Sequence, residues 1–328
     1  MQPSKRFFLS FFILFALAML PFLYDSRTWL ILFSQIFIFA VFAMSYDLLL
    51  GYTGVVSFGH AMFFGIGAYT FALFMKKADE STMSTVLLAA LVTIALSMIL
   101  SFIIGMLTLR LKNHYFAMLT LAVAGLLMVA AEKWRSLTMG NDGFTFMVPA
   151  LLRDRWSFYF VSLLFMVISY FCLRRFTESP LGKVLAAIRE NETRAESLGY
   201  RVLYYRVIAN VVAGMFAGLS GMLYAASLRF VNTSVFSTEI TLDALLMTII
   251  GGVGTLIGAI IGSGLIELAK HGLMGLAKVH WVFERWIIFF GMVYILAVMF
   301  FPKGIVGTIR QWRNKKANID TTNREKAV

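Results

Sequence analysis

The sequence predicts an all-α integral membrane protein. Of its 328 residues, 60% are hydrophobic and only 14% are charged. Apolar runs long enough to cross a bilayer recur along the chain, since about 20 helical residues span a hydrocarbon core of about 30 Å. Composition and the length of these runs therefore place most of the chain within a membrane.

The apolar runs account for about ten transmembrane helices. The predicted spans lie near residues 7–24, 28–50, 58–75, 85–109, 114–131, 157–174, 207–228, 241–251, 256–269 and 285–301. The first run continues into Pro21 and Tyr24 without a small-residue cleavage site, so we interpret it as a span and not as a secretion signal. The eighth and ninth spans are short, and they predict a discontinuous segment.

Positive charge predicts how these helices are oriented, because cytoplasmic loops carry an excess of lysine and arginine. With an even number of spans both termini face the same side, and that side carries the larger share of the 29 lysine and arginine residues. Both termini are therefore expected in the cytoplasm, with the chain in the inner membrane of a bacterium or archaeon. The net charge of +12 needs no nucleic acid to explain it, and the basic tail is expected to lie near anionic lipid.

Catalytic, nucleotide and metal sites are not predicted in this chain. It has no GxxxxGK[ST] loop, and its four histidines, at positions 60, 114, 271 and 280, lack paired metal-ligand spacing. The single cysteine, Cys172, falls inside the sixth predicted span, which leaves no partner for an intrachain disulfide. We expect no metal and no cofactor, and any ATP hydrolysis would occur on another chain.

A glycine-rich segment, GYTGVVSFGH at residues 51–60, interrupts the apolar sequence after the second span. Glycine inside a helix costs about 0.5–1 kcal/mol relative to alanine, so a cluster of glycines requires a reason. Unwound backbone is tolerated within a membrane where it lines a cavity, and it marks the substrate path of many transporters. The candidate pathway residues here are Gly51, Thr53, Gly54, Ser57, Gly59 and His60.

A second glycine group lies between the two short spans, in the other half of the chain. Its members, Gly251, Gly252 and Gly254, complete the set of candidate pathway residues. Two interpretations stay open at this point. Gly65 and Gly67 are equally consistent with close helix packing, and His60 could instead be a satisfied interhelical hydrogen-bonding residue.

The connection at residues 175–206 predicts an amphipathic helix outside the membrane. Ser179 can cap it, Pro180 suits its first position, and Gly199 suits a left-handed terminating position. Its apolar residues fall on one helical face that is interrupted only at Asn191; they are Leu181, Val184, Ile188, Ala195 and Leu198. The alternatives are a solvated connector and an interaction surface for a partner.

Five blocks of sequence resemble the permease subunits of branched-chain amino-acid ABC transporters. They are YDLLLGYTGVVSFGHAMFFGIGAYTFAL, NHYFAMLTLAVAG, LTMGNDGF, SPLGKVLAAIRENETRAESLGYRVLYYRVIANVVAGMFAGLSGMLYA and LLMTIIGGVGTLIGAIIG. The blocks follow the family's order over roughly residues 40–305, and the M-type of the family's two permeases is the most similar. The resemblance implies a permease of an ATP-driven importer of branched-chain or related hydrophobic amino acids.

The resemblance also implies a fold and a set of partners. The fold is that of a type II ABC importer permease, with one transmembrane domain over residues 1–328, a cytoplasmic coupling loop at 175–206 and a basic cytoplasmic tail at 302–328. The implied partners are a second homologous permease, two cytoplasmic ATPase subunits that bind ATP and Mg, and an extracytoplasmic substrate-binding protein. This chain is then a transport subunit and not an enzyme.

The resemblance assigns two further sets of site residues. By position, the ATPase-coupling residues are Ile188, Arg189, Glu190, Asn191, Glu192, Ala195, Leu198 and Gly199. The match departs from the stricter coupling signature of other ABC importers, because Thr193 and Arg194 stand where that signature has two alanines. In the outer loop, LTMGNDGF favours a tight turn at Asn141, Asp142 and Gly143, which either docks the binding protein or is only a connector.

Two alternative functions are weighed against this interpretation. Urea and short-amide ABC permeases need much the same glycine architecture. An ion-coupled secondary transporter is expected to keep a functional ionisable residue within its spans. The candidates for such a residue, Asp47, Asp243 and Glu267, lie near predicted span ends, where a structural role is sufficient.

Overall fold

Long apolar helices make up the protein, and they are described by a computed structural model. The model describes residues 26–78, 81–111, 114–277 and 304–308, with single positions on either side of these ranges. The predicted first span at 7–24, the predicted tenth span at 285–301 and the basic tail from 302 onward, apart from those few positions, lie outside the described residues. So does His280.

The helices follow one another along the chain with short connections. They are α1 (Arg27–Asp47), α2 (Ala61–Lys77), α3 (Met83–Thr108), α4 (His114–Lys133), α5 (Arg135–Thr138), α6 (Ala150–Arg153), α7 (Arg155–Glu178), α8 (Pro180–Glu190), α9 (Glu192–Ser197), α10 (Val202–Leu228), α11 (Thr238–Gly251) and α12 (Leu256–Ala277). A π-helical turn, Leu48–Thr53, extends α1, and 3-10 turns lie at Gly140–Asp142 and Thr233–Phe236. Two short strands, β1 (Phe144–Thr145) and β2 (Phe230–Val231), pair antiparallel with Phe144 opposite Val231.

Six helical segments of the described residues are long and apolar enough to cross a membrane. They are Arg27–Thr53, Met83–Thr108, His114–Lys133, Arg155–Glu178, Val202–Leu228 and Leu256–Gly275. These segments confirm six of the predicted spans. The prediction for the ninth span, 256–269, was too short, because the small and apolar residues of α12 continue the helix to Ala277.

The third and eighth predicted spans are each helical over only part of a membrane crossing. Helix α2 has 17 residues and α11 has 14. Each is preceded by chain that is not α-helical, residues 54–60 before α2 and residues 229–237 before α11; the second segment contains β2 and the 3-10 turn Thr233–Phe236. The predicted discontinuity therefore exists in both halves, and the second one lies before α11 as well as after it.

Helix α10 lies at the centre of the described bundle, where it packs against α1, α2 and α3. Small residues permit this packing, since a Cβ placed on Gly221 would overlap the backbone of Phe64 and one on Gly67 would overlap the backbone of Gly218. The packing interpretation of Gly67 is thus supported. Helices α3 and α4 keep broad apolar faces exposed, as expected for helices that face lipid or another subunit.

The bundle has two distinct ends, which we name by their contents. At the Arg189 end, helices α8 and α9 lie beside the π turn that ends α1 and beside the turn between α11 and α12. At the strand end, β1 and β2 join the loop that follows α4 to the loop that follows α10. Every predicted coupling residue lies at the first end, and the predicted docking turn lies at the second.

Candidate functional site

The two predicted glycine groups meet at the Arg189 end, in a contact that we call the glycine junction. It consists of Asp47, Gly51, Gly54, Arg189 and Gly254. The backbone N–H of Gly254 donates a hydrogen bond to Asp47 Oδ1 at 2.7 Å. A Cβ placed on Gly51 would lie 2.6 Å from the Cα of Gly254, so this close approach requires glycine.

Arg189 of α8 connects the predicted coupling loop to this junction. Its guanidinium donates a hydrogen bond from Nη1 to the backbone oxygen of Gly51. Its aliphatic stem covers Gly54, where an added Cβ would lie 3.1 Å from Arg189 Cγ, and Gly54 has the left-handed φ of 73°. A Cβ placed on Gly254 would also lie 3.2 Å from Arg189 Nη1, so one side chain contacts both unwound segments of the chain.

Asp47 is the junction residue whose role sequence reasoning missed. It was assigned a structural place at a span end, and it is fully buried with its Oδ2 unpartnered among the described residues. The spacing in the sequence could have indicated this role, since Asp47 precedes Gly51 by one helical turn and therefore lies on the same face of the helix.

The other predicted residues of the first group lie deeper in the bundle. Ser57, Gly59 and His60 are buried, and the Ser57 hydroxyl accepts a hydrogen bond from the Gly59 backbone at 3.4 Å. His60 Nε2 lies 2.9 Å from Ser45 Oγ, which supports the interpretation of His60 as an interhelical hydrogen-bonding residue. Thr53 is also buried, and its hydroxyl donates to Leu49 O at 2.6 Å.

The first residues of α2 and α11 meet inside the bundle. The backbone N–H of Ala61 donates to Thr241 Oγ1 at 2.9 Å. From Thr241 to Gly251 helix α11 rises about 15 Å, so this contact and the glycine junction are separated by about that distance along α11. Extended chain at 54–60 covers the same distance, since seven residues reach about 20 Å.

The N-terminus of α2 therefore lies beside the first turn of α11. The first turn of a helix leaves backbone N–H groups without intrahelical partners and carries a partial positive charge. Helix α11 also carries Glu239 in its first turn. Glu239 compensates the partial charge of α11, and the first three N–H groups of α2 donate to Thr241 Oγ1, Gly59 O and His60 O, so these donors are occupied in the described conformation.

The second glycine group has two roles. Gly252 ends α11 with a φ of 125°, and Gly254 in the same turn has a φ of 79°. Gly251 instead packs against α12, since an added Cβ would overlap the backbone oxygen of Gly258. The group thus forms both the turn that enters the junction and the tight contact between α11 and α12.

The predicted coupling helix is two helices and not one. Helix α8 begins at Pro180, where Ser179 Oγ accepts a hydrogen bond from the Gly182 N–H at 3.3 Å, and it ends at Glu190. Asn191 is extended, with a φ of −156°, and its Oδ1 accepts from the Arg194 N–H at 2.9 Å to cap α9. The break follows from this chemistry, because asparagine is a strong N-cap.

The apolar face of this loop packs against the protein itself. Ile188 is 1% exposed and forms a small cluster with Ala195 and Val202. Leu185, which the predicted stripe did not include, is fully buried, whereas the predicted Leu198 is 72% exposed. Ile188 and Ala195 are therefore covered by helix α10 in the described conformation and form no exposed apolar face, while their role in ATPase coupling stays a prediction.

Two charged residues of the predicted coupling set form hydrogen bonds or ion pairs with other parts of the same chain. Arg189 binds the junction, and Glu192 forms a bidentate ion pair with Arg206 of α10 at 3.2 and 3.0 Å. Gly199 ends the loop with a φ of 88°. Among the predicted coupling residues, those exposed in the described conformation are Arg189, Glu190, Asn191, Leu198 and Gly199.

The predicted docking turn is formed at the strand end. Residues Gly140–Asp142 make a 3-10 turn, and the Asn141 side chain accepts a hydrogen bond from the Thr233 hydroxyl. Gly143 has a φ of 64° and lies against the backbone of Val231. Asp142 itself is exposed and forms no hydrogen bond or ion pair within the described residues.

Asp243 and Glu267, the other two acidic residues weighed for ion coupling, are engaged in ion pairs. Lys270 Nζ lies 2.5 Å from Asp243 Oδ2 and 3.7 Å from Glu267 Oε1. This cluster joins α11 to α12, which gives Asp243 and Glu267 a structural role. No group of three or more His, Cys, Asp and Glu side chains suited to a metal ion occurs in the part of the chain that the structure describes.

Comparison with known proteins gives a consistent result. The family model for the permease component of branched-chain amino acid transport systems matches residues 28–299. The high-affinity branched-chain amino acid transport system permease protein LivM of Salmonella typhimurium is 25% identical, over 83% of this chain and 68% of its own length. The probable branched-chain amino acid transport permease protein LivM of Methanocaldococcus jannaschii is 21% identical over 82% of this chain and 90% of its own.

A relative whose name gives a different substrate matches a shorter region of the chain. The autoinducer 2 import system permease protein LsrC of Photorhabdus laumondii is 30% identical, over 38% of this chain and 38% of its own length. No solved structure matches the chain at the same level of significance. The comparisons do not favour a urea or amide permease or an ion-coupled transporter.

Proposed function

This chain belongs to the family of branched-chain amino acid transport system permease components, and from that premise we propose that it couples ATP hydrolysis on separate subunits to movement of substrate through its own discontinuous spans. As a member of this family it is the permease subunit of a branched-chain amino acid ABC importer. The observation that carries the coupling proposal is the glycine junction, in which Arg189 contacts both unwound segments.

The partners of this subunit are a second homologous permease, two cytoplasmic ATPases that bind ATP and Mg, and an extracytoplasmic substrate-binding protein. The single transmembrane domain lies in the inner membrane with both termini in the cytoplasm. The coupling loop at 175–206 and the tail at 302–328 are then cytoplasmic, and this places the Arg189 end inside and the strand end outside. The lysine and arginine excess supports this orientation.

The proposed coupling runs from α8 to the junction through a single side chain. When the ATPase subunits close, they shift the loop formed by α8 and α9 relative to the bundle. Because Arg189 donates to the backbone oxygen of Gly51, any such shift either moves the π turn or breaks this hydrogen bond. Because Gly51 lies against Gly254, whose N–H is bound by Asp47, the turn after α11 responds as well.

The proposed substrate path follows residues 54–60 between the glycine junction and the start of α2. An amino acid is zwitterionic, and opening of the path would release the Ala61 N–H from Thr241, which then offers a donor to the substrate carboxylate at the start of α2 without a fixed cation. Ser57, Gly59 and His60 line this route and are buried in the described conformation. Transport therefore requires that the junction open, which is the event that Arg189 controls.

On the outer side we propose that the turn at Asn141, Asp142 and Gly143 helps to dock the binding protein. The hydrogen bond between Asn141 and Thr233 ties this turn to the segment that precedes α11. Docking at the exposed Asp142 can therefore influence the outer end of the second discontinuous span. This contact supports a role beyond that of a connector turn.

Uptake by reconstituted vesicles tests the proposal. Co-purification with the chain should recover a second permease and two ATPase subunits. Vesicles that contain this assembly should take up leucine or a related amino acid only when binding protein is outside and ATP is on the ATPase side. Uptake by the chain alone in response to a proton or sodium gradient would reject the coupling proposal.

A further inference from the structure

We propose that a recess at the strand end binds the phosphate of a phospholipid headgroup. The recess has a volume of about 200 Å³. Three arginines line it, Arg153 at the end of α6, Arg155 at the start of α7 and Arg229 just after α10. We call it the arginine recess, and it is separate from the glycine junction, so the inference does not depend on the coupling mechanism.

Within the part of the chain that the structure describes, the arginines of the recess have no acidic partners. The ion pairs of the described residues use Arg174, Arg206 and Lys270, and none involves Arg153, Arg155 or Arg229. Three guanidinium groups without counter-ions repel one another, and an anion bound among them removes that repulsion.

The nearby Asp154 does not neutralise this charge. Its carboxylate accepts hydrogen bonds from the backbone N–H and the hydroxyl of Ser157, each at 2.9 Å, and it caps α7. Those hydrogen bonds hold the pKa of Asp154 below its usual range. The carboxylate therefore stays ionised at neutral pH and offsets at most one of the three arginine charges, so the recess keeps an excess of positive charge.

Arg229 is held in an uncommon backbone conformation that directs its side chain to the recess. Its φ is 55°, in the left-handed region that non-glycine residues seldom adopt. Its Nη2 donates to the backbone oxygen of Arg153 at 2.6 Å, while its Nε is buried and lacks an acceptor among the described residues. A guanidinium with unused donors in a planar fork matches the oxygens of a phosphate.

The remaining walls of the recess favour a lipid over a free anion. Leu30, Ile31 and Phe158 contribute apolar surface beside the arginines, which suits glycerol and the first carbons of acyl chains. The recess also lies at the level of the bilayer interface. Trp29 and Trp134, at the same end, are 40% and 60% exposed, and exposed tryptophans mark that level in membrane proteins.

A bound lipid would contact three elements that meet at this end. The recess lies between the starts of α1 and α7 and the residue that ends α10. A headgroup in this place would hold Arg229 and with it the start of the segment that leads to α11. The chemical class of the ligand is therefore a phosphodiester with attached acyl chains.

Native mass spectrometry of the full chain can test this proposal. The protein is delipidated in a neutral detergent and titrated with dioleoyl phosphatidylglycerol, and the fraction carrying lipid is measured. The variants are Arg229→Gln and the double variant Arg153→Gln with Arg155→Gln. The control is Arg135→Gln, which removes an exposed arginine at the same end that does not line the recess.

We expect the recess variants to bind the lipid at least about tenfold more weakly, because each loses a charge-assisted hydrogen bond, while Arg135→Gln binds as the wild type does. Dioleoylglycerol, which has the same chains without phosphate, should not saturate the site. Equal binding by all variants, or equal binding of dioleoylglycerol, would overturn the proposal.

The remaining outcomes separate the possible sources of the anion. If inorganic phosphate at low concentration displaces the lipid completely, the site takes a free anion and the lipid assignment is wrong. If lipid binding is unchanged but cross-linking to the binding protein is lost in the recess variants, the partner is an acidic protein surface and the proposal fails. Because Arg153 and Arg155 are exposed, their double variant remains informative if Arg229→Gln does not fold.

Discussion

Arg189 donates a hydrogen bond to the backbone oxygen of Gly51, which lies 138 residues earlier in the chain. The first of these residues belongs to the loop that is proposed to bind the ATPase, and the second ends the helix that leads into the proposed substrate path. Since Gly51 also touches Gly254, a movement of one loop reaches both discontinuous spans. Four of the five predictions below concern this connection and the path that it controls.

The first prediction concerns the side chain that makes this contact. Arg189→Gln should reduce uptake about tenfold or more, because one charge-assisted hydrogen bond between the loop and the junction is lost. Basal ATP hydrolysis and co-purification of the partners should be retained, since glutamine keeps a polar side chain at this exposed position and Glu190, Asn191 and Leu198 are unchanged. The measurement is uptake and ATP hydrolysis in the same vesicles.

The matched control for this variant is Arg194→Gln, which removes an exposed arginine from the same loop. It should transport as the wild type does. Arg189→Lys should restore part of the activity, because an ammonium group can still donate to a backbone oxygen. If both Arg189 variants transport normally, the junction does not carry the coupling.

The second prediction concerns the close approach of Gly51 to Gly254. Gly51→Ala places a methyl group within 2.6 Å of the Cα of Gly254, which forces the two unwound segments apart and costs about 1–3 kcal/mol. Uptake should fall while the assembled complex is still recovered. The variant Gly125→Ala serves as control, because nothing lies within 4 Å of an added Cβ at that position.

Gly54→Val combines two such effects. The side chain would meet Arg189 Cγ, and its β-branched carbon would occupy the left-handed conformation of Gly54. We expect lost substrate flux in an assembled complex. Normal uptake by the assembled Gly51→Ala and Gly54→Val variants would show that the junction can tolerate separation during transport.

The third prediction separates the buried and the exposed faces of the coupling loop. Ile188→Asp places a charge in the small cluster with Ala195 and Val202, so it should destabilise the loop by about 3–5 kcal/mol. Leu198→Asp changes a side chain that is 72% exposed, so it should leave the thermal unfolding of the permease unchanged and weaken ATPase association. Thermal unfolding and co-purification, measured on both variants, distinguish the two effects.

A different pattern would reject this assignment of faces. If Ile188→Asp unfolds at the wild-type temperature and only loses the ATPase, then Ile188 faces the partner during the transport cycle. If Leu198→Asp binds the ATPase as well as the wild type does, then the contact lies elsewhere on the outward face of α8 and α9.

The fourth prediction concerns the docking turn. A photoreactive cross-linker on Cys introduced at position 142 should capture the binding protein, because Asp142 is exposed beside the segment that leads to α11. Position 147, exposed in the same connection, is the comparison. Cross-links from position 147 together with their absence from position 142 would move the docking surface away from the turn.

The sequence predicted the long helices because apolar length alone determines them, as in the spans at 85–109 and 114–131. It also found both glycine groups and the coupling loop. It did not reveal which surfaces these elements face, since the spacing of Ile188 and Ala195 is the same whether a partner or helix α10 covers them. Which neighbour covers a helix face depends on tertiary packing, and the helical repeat of the sequence does not specify it.

The contact at the glycine junction illustrates the same limit. Gly51 and Gly254 were both proposed for the path, but their contact depends on the course of the chain between them. Asp47 was considered only as an ionisable residue near a span end, whereas the structure shows it as the acceptor for the Gly254 N–H. Long-range pairs of this kind follow from packing, and a single sequence does not specify them.

The fifth prediction tests the path itself through the accessibility of Ser57. A variant with Ser57→Cys, made in a Cys172→Ser background to remove the native exposed thiol, should react with a membrane-impermeant thiol reagent only while the complex is hydrolysing ATP. The reason is that Ser57 is buried in the described conformation and lies on the segment that must open.

Ser97→Cys is the control, because Ser97 is equally buried between α3 and α10 at the contact with Gly218, away from the proposed path. Labelling of both cysteines would indicate general loosening of the bundle, and labelling of neither during turnover would place the substrate path outside residues 54–60. Adding Arg189→Gln to the Ser57→Cys variant should abolish the ATP-dependent labelling, because the loop could then move without opening the junction.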